Sequence, residues 1–228
     1  MKNVILTVFF LLMLSSLSAQ LYIGPKLGLA VSYDDTYNDG SYTDATVVSR
    51  SLVPGINVGA MLMYRFGVLS IRWEPMYIEL KGKLNMMDIY ERDFLLEQKR
   101  TYWRNNFLLD VGFEINDRAR FFGQVGPTVE FLLNSERVID GNYYIHYKDL
   151  RQVDFGITVG IGALVKIKKN WLELNIRANH GLTAYKYIEG GWFGYYFYNA
   201  NISYNVAYIF IIPNKNRKPK KKETRLFY

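Results

Sequence analysis

From Leu21 onward, apolar and polar residues alternate one by one, the period of a strand with two unlike faces. Residues 153–167 are the plainest case. Val153, Phe155, Ile157, Val159, Ile161, Ala163, Val165 and Ile167 form one face, and Asp154, Gly156, Thr158, Gly160, Gly162, Leu164 and Lys166 the other. A helix would scatter both sets round its circumference, and the three glycines weaken a helix independently. The same rhythm sets Ile23, Leu27, Leu29 and Val31 against Gly24, Lys26, Gly28 and Ser32. It sets Trp103, Phe107, Leu109, Val111 and Phe113 against Arg104, Asn106, Asp110, Gly112 and Glu114. Further strands follow at about 120–131 (Phe121, Val125, Val129 and Phe131 against Arg120, Gln124, Gly126, Thr128 and Glu130), 172–177 and 198–210. Segments at about 52–65 and 68–82 alternate less cleanly, with Arg72 and Glu74 on the polar face of the latter.

The connections alternate too. Short turns fall at Phe66-Gly67, Asn116-Asp117 and Lys168-Lys169-Asn170, and longer polar loops at about 34–51, 83–98, 134–150 and 186–194. Eight strands joined alternately by short and long connections predict an all-β fold, an antiparallel up-and-down barrel.

The barrel's orientation of faces follows from bulk. An eight-stranded interior is just wide enough to be filled by side chains, and the apolar face carries most of the large aromatic and aliphatic groups, which would overfill it. That face therefore points outward to lipid, and the polar face lines a narrow lumen, as in a transmembrane β-barrel. Lumen charges must pair with one another, and the candidates are Lys26, Arg72, Arg104, Lys166 and Arg177 with Glu74, Asp110, Glu114, Glu130, Asp154 and Glu173. A salt-bridged plug fits so narrow a bore better than a conduction path. On the last strand, Tyr196 and Tyr198 lie about twelve residues from Tyr208 and Phe210. At about 3.3 Å per residue and a tilt of about 40°, that is roughly 30 Å of height. It matches two aromatic girdles, which Trp73, Tyr77, Trp103 and Trp171 are expected to join.

The chain opens with Met1-Lys2-Asn3, a run from Val4 to Leu14 interrupted only by Thr7, and Ser15-Ser16-Leu17-Ser18-Ala19. A positive start, a short apolar run and small residues predict a secretory signal peptide over 1–19, with the barrel occupying 20–212. The formal net charge is +7. Lys2 supplies one unit, and residues 213–228 supply six, from Lys215, Arg217, Lys218, Lys220, Lys221, Lys222 and Arg225 against Glu223. The body between is neutral, which gives no support to nucleic-acid binding, and 213–228 reads as a basic periplasmic tail.

Candidate chemistry is sparse. With no Cys and two His, thiolate sites and His-rich metal centres are absent. Asp34, Asp35, Asp39 and Asp44 suggest calcium, but counting from Asp35 puts Tyr37 and Thr46 where oxygen ligands belong in an EF-hand loop. His180 has Leu182 two places along its own face and no Ser nearby, so the hydroxyl–imidazole pairing of a hydrolase is missing. His146 falls in a Tyr-rich loop, and Tyr143, Tyr144, Tyr147, Trp192 and Phe193 offer either a binding surface or membrane-interface contacts. The expectation is a non-enzyme without cofactors, with a lipid-modifying enzyme and a narrow channel as the alternatives.

Four short motifs carry a resemblance: Gly24-Pro25-Lys26-Leu27-Gly28, Pro54-Gly55-Ile56-Asn57-Val58-Gly59, Glu74-Pro75-Met76-Tyr77-Ile78-Glu79-Leu80-Lys81-Gly82 and Phe122-Gly123-Gln124-Val125-Gly126-Pro127. With them, residues 20–212 resemble the PorT-like outer-membrane β-barrel proteins of Bacteroidetes-type bacteria. The resemblance implies an integral outer-membrane protein. It also implies an interaction or assembly role linked to type IX protein secretion. Its partners would be outer-membrane lipid and secretion-machinery proteins. It supplies no catalytic residues. Eight strands and an N-terminus delivered from the periplasm put both termini in the periplasm, with the long loops extracellular. The basic tail lies outside the shared pattern, and its charge suits an acidic periplasmic partner, peptidoglycan or the inner-leaflet lipid charge.

Overall fold

The computed structural model describes residues 20–32, 46–87, 93–139, 143–144, 152–183, 186–190, 193–197 and 199–212. The expected signal peptide, 1–19, and the expected basic tail, 213–228, lie outside them.

The strands are β1 (Gln20–Ser32), β2 (Thr46–Val53), β3 (Gly55–Phe66), β4 (Leu69–Met87), β5 (Asp93–Asn116), β6 (Ala119–Ile139), β7 (Tyr143–Tyr144), β8 (Val153–Ile167), β9 (Asn170–Gly181), β10 (Lys186–Gly190), β11 (Phe193–Phe197) and β12 (Ala200–Ile212). Antiparallel ladders run β1–β3, β3–β4, β4–β5, β5–β6, β6–β8, β8–β9 and β9–β12, and β12 pairs back onto β1. The ring is a closed eight-stranded barrel.

Its geometry can be counted from the register. One rung leads from Ile78 through Asn57, Gly28, Asn205, Asn175, Gly162 and Phe122 to Gly112. The Gly112 N–H then donates to the Val68 carbonyl, ten residues below Ile78 on the same chain segment. With about 4.8 Å between strands and about 3.3 Å per residue, this stagger sets a tilt of about 40° and a backbone radius of roughly 8 Å.

The short turns fall where the alternation breaks. Two-residue reversals at Gly67-Val68, Asp117-Arg118 and Lys168-Lys169 close one end; in the first and third, Gly67 and Lys168 adopt left-handed φ values of 67° and 57° that match the twist of the flanking strands. The opposite end departs from expectation. The segments 83–98 and 134–150 are not simply loops: β4 runs on to Met87, β5 begins at Asp93 and β6 reaches Ile139. β4, β5 and β6 are 19, 24 and 21 residues long, against 12 for β9 and 13 for β12. One wall of the barrel therefore stands well above the other, and β2, separated from β3 at Pro54, pairs with β4 along that extension. A bulge between Thr101 and Tyr102, opposite Leu132 and Asn134, marks its base.

Candidate functional site

Burial assigns the faces. Leu27, Leu29, Ile71, Phe107, Leu109, Val125, Val159, Ile161, Leu174, Ile176, Tyr204 and Val206 are exposed on the outside, while Lys26, Arg72, Glu74, Asp110, Glu173 and Arg177 are buried within. Large apolar groups outside and ions inside are the inverse of a soluble core, and they define a lipid-facing barrel.

The lumen is stratified. Nearest the short turns, Tyr22, Met61, Met63, Phe122, Leu164, Trp171, Ala207 and Ile209 form an apolar plug. Arg72 lies directly over it, its guanidinium 5.1 Å from the Phe122 ring centre. Above the plug sits an ionic tier from four strands. Arg72 donates to Asp110 at 2.6 Å and to Glu173 at 2.6 Å, Lys26 donates to Glu74 at 2.9 Å, and Arg177 donates to Glu74 at 2.8 Å and to Gln124 at 2.9 Å. Three cations face three carboxylates, so the tier is neutral and each charge has a partner, which burial at this depth demands. Gly160 makes the space: a Cβ there would stand 2.8 Å from the Arg177 Cγ. Next comes a layer of amides and hydroxyls, in which Thr128 and Asn179 bond to Thr158 and Asn205 bonds to Asn175. At the loop end Arg104 pairs with Glu130 at 2.5 Å and donates to Asn201 at 3.1 Å. Asn199 donates to Glu130, and Asp154 accepts from Thr183.

The expected charge network is thus divided. Lys26, Arg72, Glu74, Asp110, Glu173 and Arg177 meet at mid-barrel, and Arg104, Glu130 and Asp154 form a separate group at the loop end. Two expected members do not join either. Glu114 is exposed at the turn-end rim, where it pairs with Arg65. Lys166 is exposed there as well, because β8 ends one residue later and its last inward position opens into the mouth. Arg120, not proposed for the network, lies on the same face as Gln124 and Glu130. It crosses the turn end to donate to the Gly67 and Val68 carbonyls at 2.9 and 2.6 Å. A Cβ on Gly112 would stand 2.5 Å from its Nε.

The lumen is also less polar than expected, since Met76, Ile78, Leu80 and Tyr102 form a second apolar cluster on the inner side of the tall wall. An enclosed gap between Asn57, Met76, Arg104, Thr158 and Arg177 has about 10 Å³ for a water centre, room for roughly one molecule.

The expected girdle needs three corrections. Trp171 is 8 % exposed and part of the plug, because it shares its strand face with Glu173, Asn175 and Arg177. Tyr196 belongs to β11, paired with Tyr187 of β10 in a separate hairpin, rather than to the last barrel strand. Trp73 faces outward at mid-height, only four residues above the turn end of β4, its indole N–H donating to Asn105 at 3.3 Å. Tyr77 and Trp103 are outward and directly paired, and Phe131 follows Trp103 across the next ladder. At the turn end the Phe113–Phe121 and Tyr208–Phe210 pairs, with ring centres 6.2 and 5.1 Å apart, make a lower aromatic row. Tyr198, the first-loop aspartates Asp34, Asp35, Asp39 and Asp44, His146, Tyr147 and Trp192 lie outside the described residues. Side-chain positions of Tyr143, Tyr144 and Phe193 do too. His180 is exposed on the outer face, with Ile157 and Ala200 as its cross-strand neighbours.

A closed eight-stranded barrel with an apolar exterior and an ion-paired interior is a membrane-spanning barrel of the outer-membrane type. The family profile described as "Outer membrane protein beta-barrel domain" matches residues 55–186, more than half of the 228-residue chain. The protein belongs to that family and is located in the bacterial outer membrane, in contact with its lipid. A search of curated proteins found no match to the sequence. Among solved structures, the chain is similar to Neisserial surface protein A, with 14 % identity and a TM-score of 0.39, covering 83 % of this chain and 97 % of that one. It is similar to the attachment invasion locus protein Ail of Yersinia pestis, with 11 % identity and a TM-score of 0.36, covering 83 % and 98 %. It is also similar to the outer membrane protein AlkL, with 8 % identity and a TM-score of 0.38, covering 88 % and 93 %.

Proposed function

We propose that this protein is a non-enzymatic, non-conducting outer-membrane barrel that displays the extended β4–β5–β6 wall outside the cell for interaction or assembly. The short turns and both chain ends then face the periplasm. The observation that carries this reading is the double closure of the lumen, by the Tyr22–Met63–Phe122–Trp171–Ile209 plug and by the neutral ionic tier above it. An aqueous path needs a continuous polar bore, and large apolar side chains across an 8-strand interior remove it.

Planar-bilayer recording of the purified full chain tests the closure. No steady conductance is expected, and a stable ion current in all reconstituted preparations would return the channel to first place. The link to type IX protein secretion rests on the resemblance in the sequence. A pull-down from native outer membranes, with and without residues 213–228, tests it. Co-purification of secretion-machinery proteins is the expected result, and recovery of the barrel alone removes the link.

A further inference from the structure

The turn end carries a patch of positive charge assembled from segments far apart in sequence. Arg118, Lys166, Lys168 and Lys169 are all exposed there. The backbone brings them together: the Lys166 N–H donates to the Arg118 carbonyl at 2.8 Å, joining the β5–β6 turn to the end of β8, and Lys168-Lys169 form the turn that follows. The final strand ends at the same place. Ile209 is the cross-strand partner of Trp171, and the Tyr208 hydroxyl accepts from Asn170 at 2.8 Å, so β12 finishes beside the lysine turn. Residues 213–228, with their excess of six positive charges, therefore start next to a rim that is already basic.

Such clustering of like charge is unfavourable unless an opposing charge is near. Among the described residues none of the three lysines has an ion-pair partner; of the rim carboxylates, Glu114 is taken up by Arg65, and Asp117, exposed in the turn it shares with Arg118, offsets one positive charge and leaves the three lysines in excess. The height of the patch identifies what it faces. Arg118 lies three residues beyond Phe121, which is roughly 10 Å of strand, and Phe113–Phe121 and Tyr208–Phe210 form the lower aromatic row. Aromatic rows mark the edge of the hydrocarbon, so the basic groups sit at headgroup level. Fully extended, sixteen residues reach up to about 55 Å, enough for the tail to lie on lipid beyond the barrel's own footprint.

We propose that this basic end, Arg118, Lys166, Lys168 and Lys169 together with the tail that leaves beside them, binds the anionic phospholipid headgroups of the leaflet it faces. The proposal rests on the reading of the protein as a membrane-spanning barrel and adds a lipid preference and a job for the tail. Each basic group held near an anionic surface strengthens binding roughly fivefold, and salt screens the effect.

The full chain, folded into vesicles of phosphatidylcholine alone or with three parts in ten phosphatidylglycerol, tests this. Trypsin release of the lysine-rich tail is followed by mass spectrometry, and barrel folding is read separately from heat-modifiable gel migration. Tail release at least about tenfold slower in the anionic vesicles at low salt, with protection lost at 0.5 M salt, is the expected result. The triple variant Lys166→Ser, Lys168→Ser, Lys169→Ser should fold normally and lose part of that protection. Equal release from both vesicle types by a correctly folded barrel overturns the proposal, as does protection by isolated peptidoglycan but not by anionic lipid. Failure of the wild-type chain to fold into either vesicle strikes instead at the barrel reading.

Discussion

At the turn end the strands reverse within two residues, eight apolar side chains fill the lumen, and the outer rim is basic. At the loop end three neighbouring strands run on past their partners, and apart from the Met76–Ile78–Leu80–Tyr102 cluster on the tall wall the interior holds amides, hydroxyls and the Arg104–Glu130 pair. One chain with one alternating pattern builds both ends, so the alternation itself does not decide whether a mouth is sealed. Sealing comes from which residues occupy the inward positions. Met61, Met63, Phe122, Leu164 and Ile209 break the polar parity of their faces near the turns, whereas Thr128, Thr158, Asn179, Asn201 and Ser203 keep it near the loops.

The sharpest way to break this contrast is at the ionic tier between the two halves. Glu74→Ala leaves Lys26 and Arg177 without their shared carboxylate in a buried site. A loss of about 3–5 kcal/mol in folding free energy is expected, read from urea titrations of the barrel in detergent or lipid. A loss below about 1 kcal/mol would mean that the tier is solvated. The plug comes next. Trp171→Ala removes a buried ring and is expected to cost about 3 kcal/mol. The same change at Trp73, which is 43 % exposed on the outer face, should cost markedly less in the same titration. Equal costs would erase the distinction between plug and lipid-facing wall. The smallest effect lies on the tall wall outside the aromatic row, where Glu79 accepts ion pairs from Lys81 at 2.7 Å and Lys99 at 3.0 Å. The Lys81 hydrogen bond, aided by Lys99, holds the Glu79 carboxyl below the usual carboxylate range. A depressed folded-state value adds stability above the unfolded value and loses it as pH falls through the folded one. Glu79→Gln should therefore lower the thermal midpoint slightly at neutral pH, with the gap closing in acid. A gap that widens in acid would contradict the assignment.

The eight strands, their short turns and the outward apolar face were legible because lipid exposure imposes a strict period of two. The tall wall was not. Residues 83–98 and 134–150 mix apolar and polar side chains without a clean period of two, with Phe94-Leu95-Leu96 running together, and such a stretch reads as a loop until a neighbouring strand is seen beside it. Of the site, the mid-barrel ions could be read from parity, but their grouping into two tiers depends on the ten-residue stagger, which no single strand displays. Trp171 was misassigned to the outer girdle for a different reason. Its residue type suggests a membrane interface, whereas its odd-numbered position beside Glu173 puts it inside, and position prevailed over type. Lys166 shows the converse, since parity places it inward but the end of the strand leaves it in the mouth.

The pairing of β12 with β1 has a bearing on how the molecule is made. Every other pairing in the ring joins consecutive barrel strands, so each can zip up from a nearby turn, while this one joins the first barrel residues to the last. It closes the longest chain loop and is the slowest contact to find. Until it forms, two strands present unpaired N–H and C=O groups that hydrocarbon does not tolerate. A chain that stops before Ala200 therefore has no stable place in the bilayer, and biogenesis is committed only when the final barrel strand has been delivered.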